Sequence, residues 1–253
     1  MNEKEFLISL TNEIKDYALD GFYKDFNIRT KQDGSIVTDI DLMVEKKIFK
    51  IISKFFPEDS FLGEETGFHR GKNSTIWVVD PIDGTRAFSQ HRSEWGVLIA
   101  RSVEGVVKTG IVVCPVQDIF TVVHNNELVY TSFDYKNLNK NISNKISILI
   151  EDNFDISNVN HKNFSILQSK NQFCKDVISI GFSDFDAIIT YAPFPHDRLA
   201  YEPIVKYMDG TISKINGTIV DPMEEDIFVL ITKNKEVKKQ IVNGLFNITR
   251  LTG

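Results

Sequence analysis

The chain has 253 residues, 42% of them hydrophobic and 11% aromatic, which is enough apolar material for one large domain or two joined lobes. Its charged fraction is 25% and its formal net charge is −6, which argues against non-specific binding to nucleic acid or to an anionic membrane. A small anionic substrate is not excluded, because a bound cation reverses the local field.

Only two cysteines occur, Cys114 and Cys174, far apart and with no His/Cys cluster for zinc. Both are read as small buried apolar residues. The opening Met1-Asn2-Glu3-Lys4-Glu5 has no basic segment leading into an apolar run. No apolar stretch approaches the roughly 20 residues that span a bilayer. The expectation is a reduced, cytoplasmic protein with no membrane partner.

Phe6, Leu7, Leu10, Ile14, Tyr17 and Ala18 recur at helical spacing and predict an opening amphipathic helix. The polar cluster Gln32-Asp33-Gly34-Ser35 marks a hairpin or loop. Ile40, Met43, Val44, Ile48, Ile51, Ile52 and Phe55 predict a second helix, ended by Pro57. Ile76–Val79 reads as a buried strand that stops at Asp80-Pro81 and gives way to a loop. Trp95–Ala100, Val106–Val113 and Ile119–Val123 are rich in β-branched residues and read as strands. Residues 125–165, rich in Asn, Lys and Asp, read as loops with short strands such as Ile146–Ile150. A helix near 172–182, a strand at Ala187–Tyr191 and a helix at Leu199–Met208 follow. Strands at Thr211–Lys214 and Asp226–Thr232 lead to a closing helix at Lys235–Phe246. This order predicts a layered α/β (α+β) fold.

Acidic residues with chemical potential gather at four places. Asp41 starts the second helix, Glu64-Glu65 follows it in a polar loop, and Asp197 precedes the helix at Leu199. The fourth is Asp80-Pro81-Ile82-Asp83-Gly84-Thr85. Pro81 fixes its own φ and pushes Asp80 towards extended geometry, so Asp80 and Asp83 can converge. Such oxygen ligands suit Mg²⁺ together with waters and phosphate oxygens. Gly84 lets the backbone approach a ligand, and Thr85 offers an N–H and a hydroxyl where a helix start would favour a phosphate. Taken singly, each has a plain alternative: Asp-Gly a turn, Glu-Glu a solvated pair, Asp41 and Asp197 helix caps. The six-residue run Asp80–Thr85 together with the other places in this order is far more specific.

These residues resemble the inositol monophosphatase superfamily in three successive signatures across 30–215. The first is Lys31…Asp33-Gly34-Ser35…Val37-Thr38…Asp41. The second is Gly63-Glu64-Glu65 followed by Trp77-Val78-Val79-Asp80-Pro81-Ile82-Asp83-Gly84-Thr85. The third is His196-Asp197…Ala200…Pro203-Ile204-Val205…Asp209-Gly210.

The resemblance implies an αβαβα sandwich of the inositol monophosphatase / fructose-1,6-bisphosphatase type. It would form one unit over 1–253, divisible into lobes of about 1–130, carrying the metal site, and about 131–253. It also implies a Mg²⁺-dependent phosphomonoesterase with two or three ions, acting as a homodimer on a small phosphorylated metabolite. Glu64, Asp80, the Ile82 carbonyl and Asp83 would hold metal, with Asp197 completing a second site. Asp41 and Thr85 would orient and deprotonate a water, with Glu65 supporting the waters around the metal. Gly84 and Thr85 would contact phosphate, and Lys31, Arg86, Thr190 and His196 complete the substrate side.

The substrate side departs from the family pattern. His196 stands where a Trp or Tyr is usual, Thr190 where many members have Glu, and Asn171-Gln172-Phe173-Cys174 replace a run of small residues. Arg86 and the Pro-x-Asp…Ala…Pro-Ile-Val pattern look more like histidinol-phosphate phosphatases. Inositol monophosphate and histidinol phosphate therefore stay level, ahead of a 3′(2′),5′-bisphosphate nucleotide. A regulatory binding protein that keeps the fold is the alternative of a different class.

Overall fold

The computed structural model describes residues 1–132, 145–151, 154–155, 163–169, 177, 185–244 and 249–250. Helix α1 (Glu3–Phe22) opens on a capping box: Asn2 and Glu5 each take the other's backbone N–H through their side chains. A short antiparallel hairpin, β1 (Ile28–Thr30) and β2 (Ile36–Thr38), leads into α2 (Asp39–Phe55).

The main sheet follows in β3 (Ser60–Gly63), β4 (Gly67–His69), β5 (Thr75–Asp83), β6 (Gly96–Val103), β7 (Val106–Cys114), β8 (Ile119–His124) and β9 (Glu127–Thr131). Its spatial order is β4-β3-β5-β6-β7-β8-β9, with β3 and β5 parallel and all other neighbours antiparallel. A short helix, α3 (Thr85–Ser89), leaves the end of β5.

The second sheet takes β10 (Ile146–Glu151), β12 (Phe164–Ser169), β13 (Ala187–Ala192), β14 (Thr211–Lys214) and β15 (Ile227–Thr232), in the order β12-β10-β13-β15-β14. Helix α4 (Tyr201–Tyr207) precedes β14, and α5 (Lys235–Gly244) follows β15. The small pair β11 (Phe154–Asp155) and β16 (Thr249–Arg250) stands apart from both sheets.

Three apolar clusters stack these elements. Successive residues of a strand face opposite sides. Trp77 and Val79 of β5 and Val97 and Ile99 of β6 join Phe6, Leu10, Ile14, Val44 and Ile48 of the first two helices. Their neighbours Val78, Leu98 and Ala100 face the other way, onto Leu199, Ile204 and Val205 and onto Ile188 and Ile231 of the second sheet. The far face of that sheet packs Ile148, Ile189 and Leu230 against Val237 and Ile241 of α5. The layers are therefore helix, sheet, helix, sheet, helix, as the sequence led one to expect.

Phe6 stacks on Phe55 at 4.4 Å and meets Phe56 and Trp77 edge-on, so truncating it to Ala removes about 3–5 kcal/mol. Cys114 is buried, while Cys174 lies outside the described residues. Among the described residues no helix is long and apolar enough to cross a membrane.

Some boundaries differ from expectation. Strand β5 does not stop at Asp80-Pro81 but runs on to Asp83, whose pairing with Gly96 resumes after a register shift. Proline lacks an N–H and is tolerated in a sheet at such an irregularity, so it interrupts the ladder without ending the strand. The stretch 125–165, read as loops with short strands, holds the expected strand as β10 and also β9 at a sheet edge, and runs into the edge strand β12. The helix expected near 172–182 falls outside the described residues except for Val177, as does the segment Asn171–Cys174.

Candidate functional site

Helix α2 starts the site. Thr38 is its N-cap, and the hydroxyl accepts the N–H groups of Ile40 and Asp41 at 3.2 and 3.3 Å. The Asp41 carboxylate returns the bond through Oδ2, which takes the Thr38 N–H at 2.9 Å and the Thr38 hydroxyl. Its other oxygen, Oδ1, lies 2.9 Å from Thr85 Oγ1, 44 residues along the chain. Asp41 is therefore a helix cap and a site residue at once. It is fully buried, and burial raises its pKa although the Thr38 and Thr85 bonds pull the other way.

Thr85 sits where β5 hands over to α3. Gly84, the N-cap of α3, has φ 89°, a left-handed conformation that a side chain disfavours; an added Cβ would also meet the Glu94 carbonyl at 2.8 Å. Thr85 Oγ1 is also 2.9 Å from the Ile82 carbonyl oxygen. One hydroxyl hydrogen serves one of these acceptors at a time.

Asp80, in β5, is wholly buried and accepts the Ile82 N–H at 2.9 Å. Its carboxyl is pushed well above the usual range by burial, then by the charges of Glu64, Asp83 and Asp197. Glu64 is thus among the nearest negative charges to Asp80, and such crowding of carboxylates favours a proton or a cation between them. Asp83, three residues on, receives the Tyr201 hydroxyl at 3.3 Å. Asp197 lies in a tight turn, Pro195–Asp197, and takes the Phe194 N–H at 2.8 Å. Burial, with the charges of Asp83 and Glu64, lifts its pKa to about 8.

Glu64 and Glu65 follow β3. Lys31, at the hairpin, bonds Glu64 at 2.9 Å and Glu65 at 2.6 Å. Burial, with the Glu64 and Asp41 charges, raises Glu65 to about 7 against the pull of Lys31. Lys31 itself is raised, the two carboxylates outweighing its own burial.

Asp41, Lys31, Glu64, Glu65, Asp80, Ile82, Asp83, Thr85 and Asp197 are thus linked by contact or charge. The substrate-side residues are less gathered. Arg86 is exposed and makes no ion pair among the described residues. Thr190 is buried in β13, paired with Val229, and its hydroxyl turns to the Tyr191 carbonyl. His196 is nearly buried, 3.6 Å from Asp197, with its pKa lowered by burial. It stacks on Phe194 at 5.2 Å, and Phe194 is 42% exposed.

Sequence reading missed Phe194, Tyr201 and Glu45. The one available signal was helical spacing, and only for Glu45, four residues after Asp41 on α2.

Among the described residues no three His, Cys, Asp or Glu side chains close up as a finished metal cage. The donor set nevertheless fits a hard divalent cation. It is all oxygen, largely buried, and sets the charges of Glu64, Asp83 and Asp197 around the buried Asp80.

Fold and site together define a layered α/β protein built around a buried cluster of carboxylates. The sequence profile of the inositol monophosphatase family matches residues 4–245, and the chain belongs to that family. It is 35% identical over 112 residues to a histidinol-phosphatase of Chlorobaculum parvum, a stretch covering 44% of this chain and 43% of that one. It is 37% identical over 101 residues to the Nus factor SuhB of Pasteurella multocida, covering 39% and 38% of the two chains. These curated relatives are therefore matched over less than half their length. The fold is shared with an IMPase/NADP phosphatase solved with Mg²⁺ and phosphate, at TM-score 0.76 and 16% identity, covering 96% of this chain and 97% of that one.

Proposed function

We propose that the protein is a Mg²⁺-dependent phosphomonoesterase acting on a small phosphorylated alcohol. The observation that carries this reading is the segment Asp80–Thr85, which sets Asp80 against Glu64 and Thr85 against Asp41. Glu64, Asp80, Asp83 and the Ile82 carbonyl would hold one Mg²⁺, and Asp197 would contribute to a second. Bound there, Mg²⁺ supplies positive charge for a phosphate and acidifies a water.

The chain's own groups do the rest. Asp41 holds the Thr85 hydroxyl hydrogen, and the two together can accept a proton from a water placed beside Thr85 Oγ1. The buried position of Asp41 raises its proton affinity, which makes it a stronger base than an exposed carboxylate. Lys31 holds Glu64 and Glu65 together at the mouth. Gly84 takes the left-handed φ that turns the chain from β5 into α3, which would present the Thr85 N–H to a phosphate. No Ser or Cys nucleophile is needed for in-line attack by water.

The leaving alcohol remains to be chosen. The Phe194–His196 stack beside Asp197 favours an alcohol bearing a flat ring over a polyol. This inclines the choice to histidinol phosphate, with inositol monophosphate second and a 3′(2′),5′-bisphosphate nucleotide third. A purely regulatory binding protein has no use for Asp41, Glu64, Asp80, Asp83, Thr85 and Asp197 in one place. A homodimer is the proposed assembly.

The test compares kcat/KM for histidinol phosphate and myo-inositol 1-phosphate in wild type and in Phe194→Ala. Wild type should prefer the first, and Phe194→Ala should lose most of that preference through KM. A preference for the inositol ester, untouched by Phe194→Ala, would contradict the aromatic reading and leave the phosphatase reading standing.

A further inference from the structure

Asp41 and Glu45 lie four residues apart on α2 and are both fully buried. That spacing puts them on one face of the helix. Asp41 reaches Thr85. Glu45 reaches the other wall of the site: its Oε2 accepts the Glu65 N–H at 2.8 Å, and its Oε1 the Thr66 N–H at 2.7 Å. Across the same turn, the Glu64 N–H donates to the Val79 carbonyl of β5 at 3.1 Å. The Glu64–Thr66 turn is thus tied on one side to a strand and on the other to a helix.

Gly63 makes this possible. A Cβ there would lie 2.3–2.6 Å from Cδ, Oε1 and Oε2 of Glu45, far inside contact distance. Glycine leaves room for the carboxylate that holds the following turn.

We propose that Glu45 is a positioning residue that aims Glu64 and Glu65 into the site, with Gly63 as its steric partner. The proposal rests on the metal-dependent reading above. Helix α2 then acts as a ruler: one rigid face sets the separation between the Asp41–Thr85 pair and the Glu64–Glu65 turn. Second-layer hydrogen bonds of this kind orient metal-binding carboxylates, and their loss typically lowers metal affinity or activity about 10–100-fold.

Glu45→Gln keeps the size but turns an amide NH₂ towards one of the two N–H donors, so one bond is lost. Glu45→Asp is the milder variant, one methylene short of reaching both. Gly63→Ala should displace Glu45 without changing its chemistry. The readouts are Mg²⁺ binding by calorimetry on the metal-free folded protein, and the melting temperature alongside.

Expected are roughly 10-fold or greater losses of Mg²⁺ affinity in Glu45→Gln and Gly63→Ala, and a smaller loss in Glu45→Asp. Gly63→Ala added to Glu45→Ala should cost no further affinity, because the clash is gone. Lowered melting temperatures with wild-type Mg²⁺ affinity in Glu45→Asp or Glu45→Gln would make Glu45 a structural cap only and overturn the proposal. A wild type that fails to bind Mg²⁺ would instead refute the reading beneath it.

Discussion

Asp41 is asked to do two jobs, and Asp41→Asn separates them. As a cap, the carboxylate takes the Thr38 N–H at 2.9 Å and closes the first turn of α2. An Asn side chain keeps one acceptor oxygen there, and losses of this kind cost about 0.5–2 kcal/mol. Part of that is offset, because a neutral amide suits the buried site better than a carboxylate whose pKa burial already raises. For a chain of this size about 1 kcal/mol moves the melting temperature by about 2–4 °C, so the folded protein should survive. As a base, the carboxylate holds the Thr85 hydroxyl at 2.9 Å, and an amide cannot take up a proton there. Loss of general-base help costs about 10²–10⁴-fold in kcat, or about 2.7–5.4 kcal/mol of barrier. The assay is phosphate release at saturating Mg²⁺ with a thermal melt of the same sample. Thr38→Ala is the control: it breaks the cap but leaves the Asp41–Thr85 contact, so it should lower the melting temperature with a far smaller effect on kcat. Near-full turnover in Asp41→Asn would remove Asp41 from the chemistry and leave it a helix cap.

Other consequences can be checked in parallel. Asp83→Asn removes a proposed metal ligand while keeping the Tyr201 contact sterically possible, so turnover should fall by orders of magnitude while the melt stays cooperative; retained turnover would exclude Asp83. Mg²⁺ added to chelator-treated protein should raise its melting temperature, by about 2.7 kcal/mol of stability at 100 times the Kd, and a flat response would contradict the metal site. Glu202, mostly buried on α4, has its pKa raised to about 7 by burial, with Arg198 only partly opposing. The native state therefore holds this proton more tightly than the unfolded chain. Its stabilising contribution is complete below about pH 4.5 and is lost as pH rises to about 7. Glu202→Gln should flatten that part of the stability–pH curve by about 1–3 kcal/mol; an unchanged slope from denaturant melts between those pH values would refute it.

The parts of the fold that were legible in the sequence are those buried on one definite pattern. Helices α1 and α2 show helical periodicity because one face of each meets the main sheet through residues such as Leu10 and Ile48. Strands β6, β7 and β8 read as nearly continuous apolar runs because both faces are covered. Two edge strands gave no such signal, β9 being partly exposed along its length and β12 having a neighbour on one side only, although the edge strand β14 was read with its observed bounds. Pro81 hid the last turn of β5 because strand reading stops at proline, whereas here it sits at a register shift.

The site divides along the same line. Asp80, Asp83 and Thr85 share one short segment, so their meeting was written locally. Glu45 looked like any acidic residue on a helix, and only the fold brings it under Glu65, 20 residues away. Phe194 and Tyr201 act through burial, stacking and a single hydroxyl, none of which leaves a motif. Thr190 shows the reverse: its place in the family pattern suggested a substrate contact, but in β13 it is enclosed by the sheet.

The most direct measurement is phosphate release by the purified wild-type protein from histidinol phosphate, myo-inositol 1-phosphate and 3′-phosphoadenosine 5′-phosphate, with Mg²⁺ and with a chelator in its place. The account predicts turnover of at least one ester that disappears with the chelator and returns with Mg²⁺. Turnover unaffected by the chelator, or none from folded, Mg²⁺-loaded protein, would contradict it.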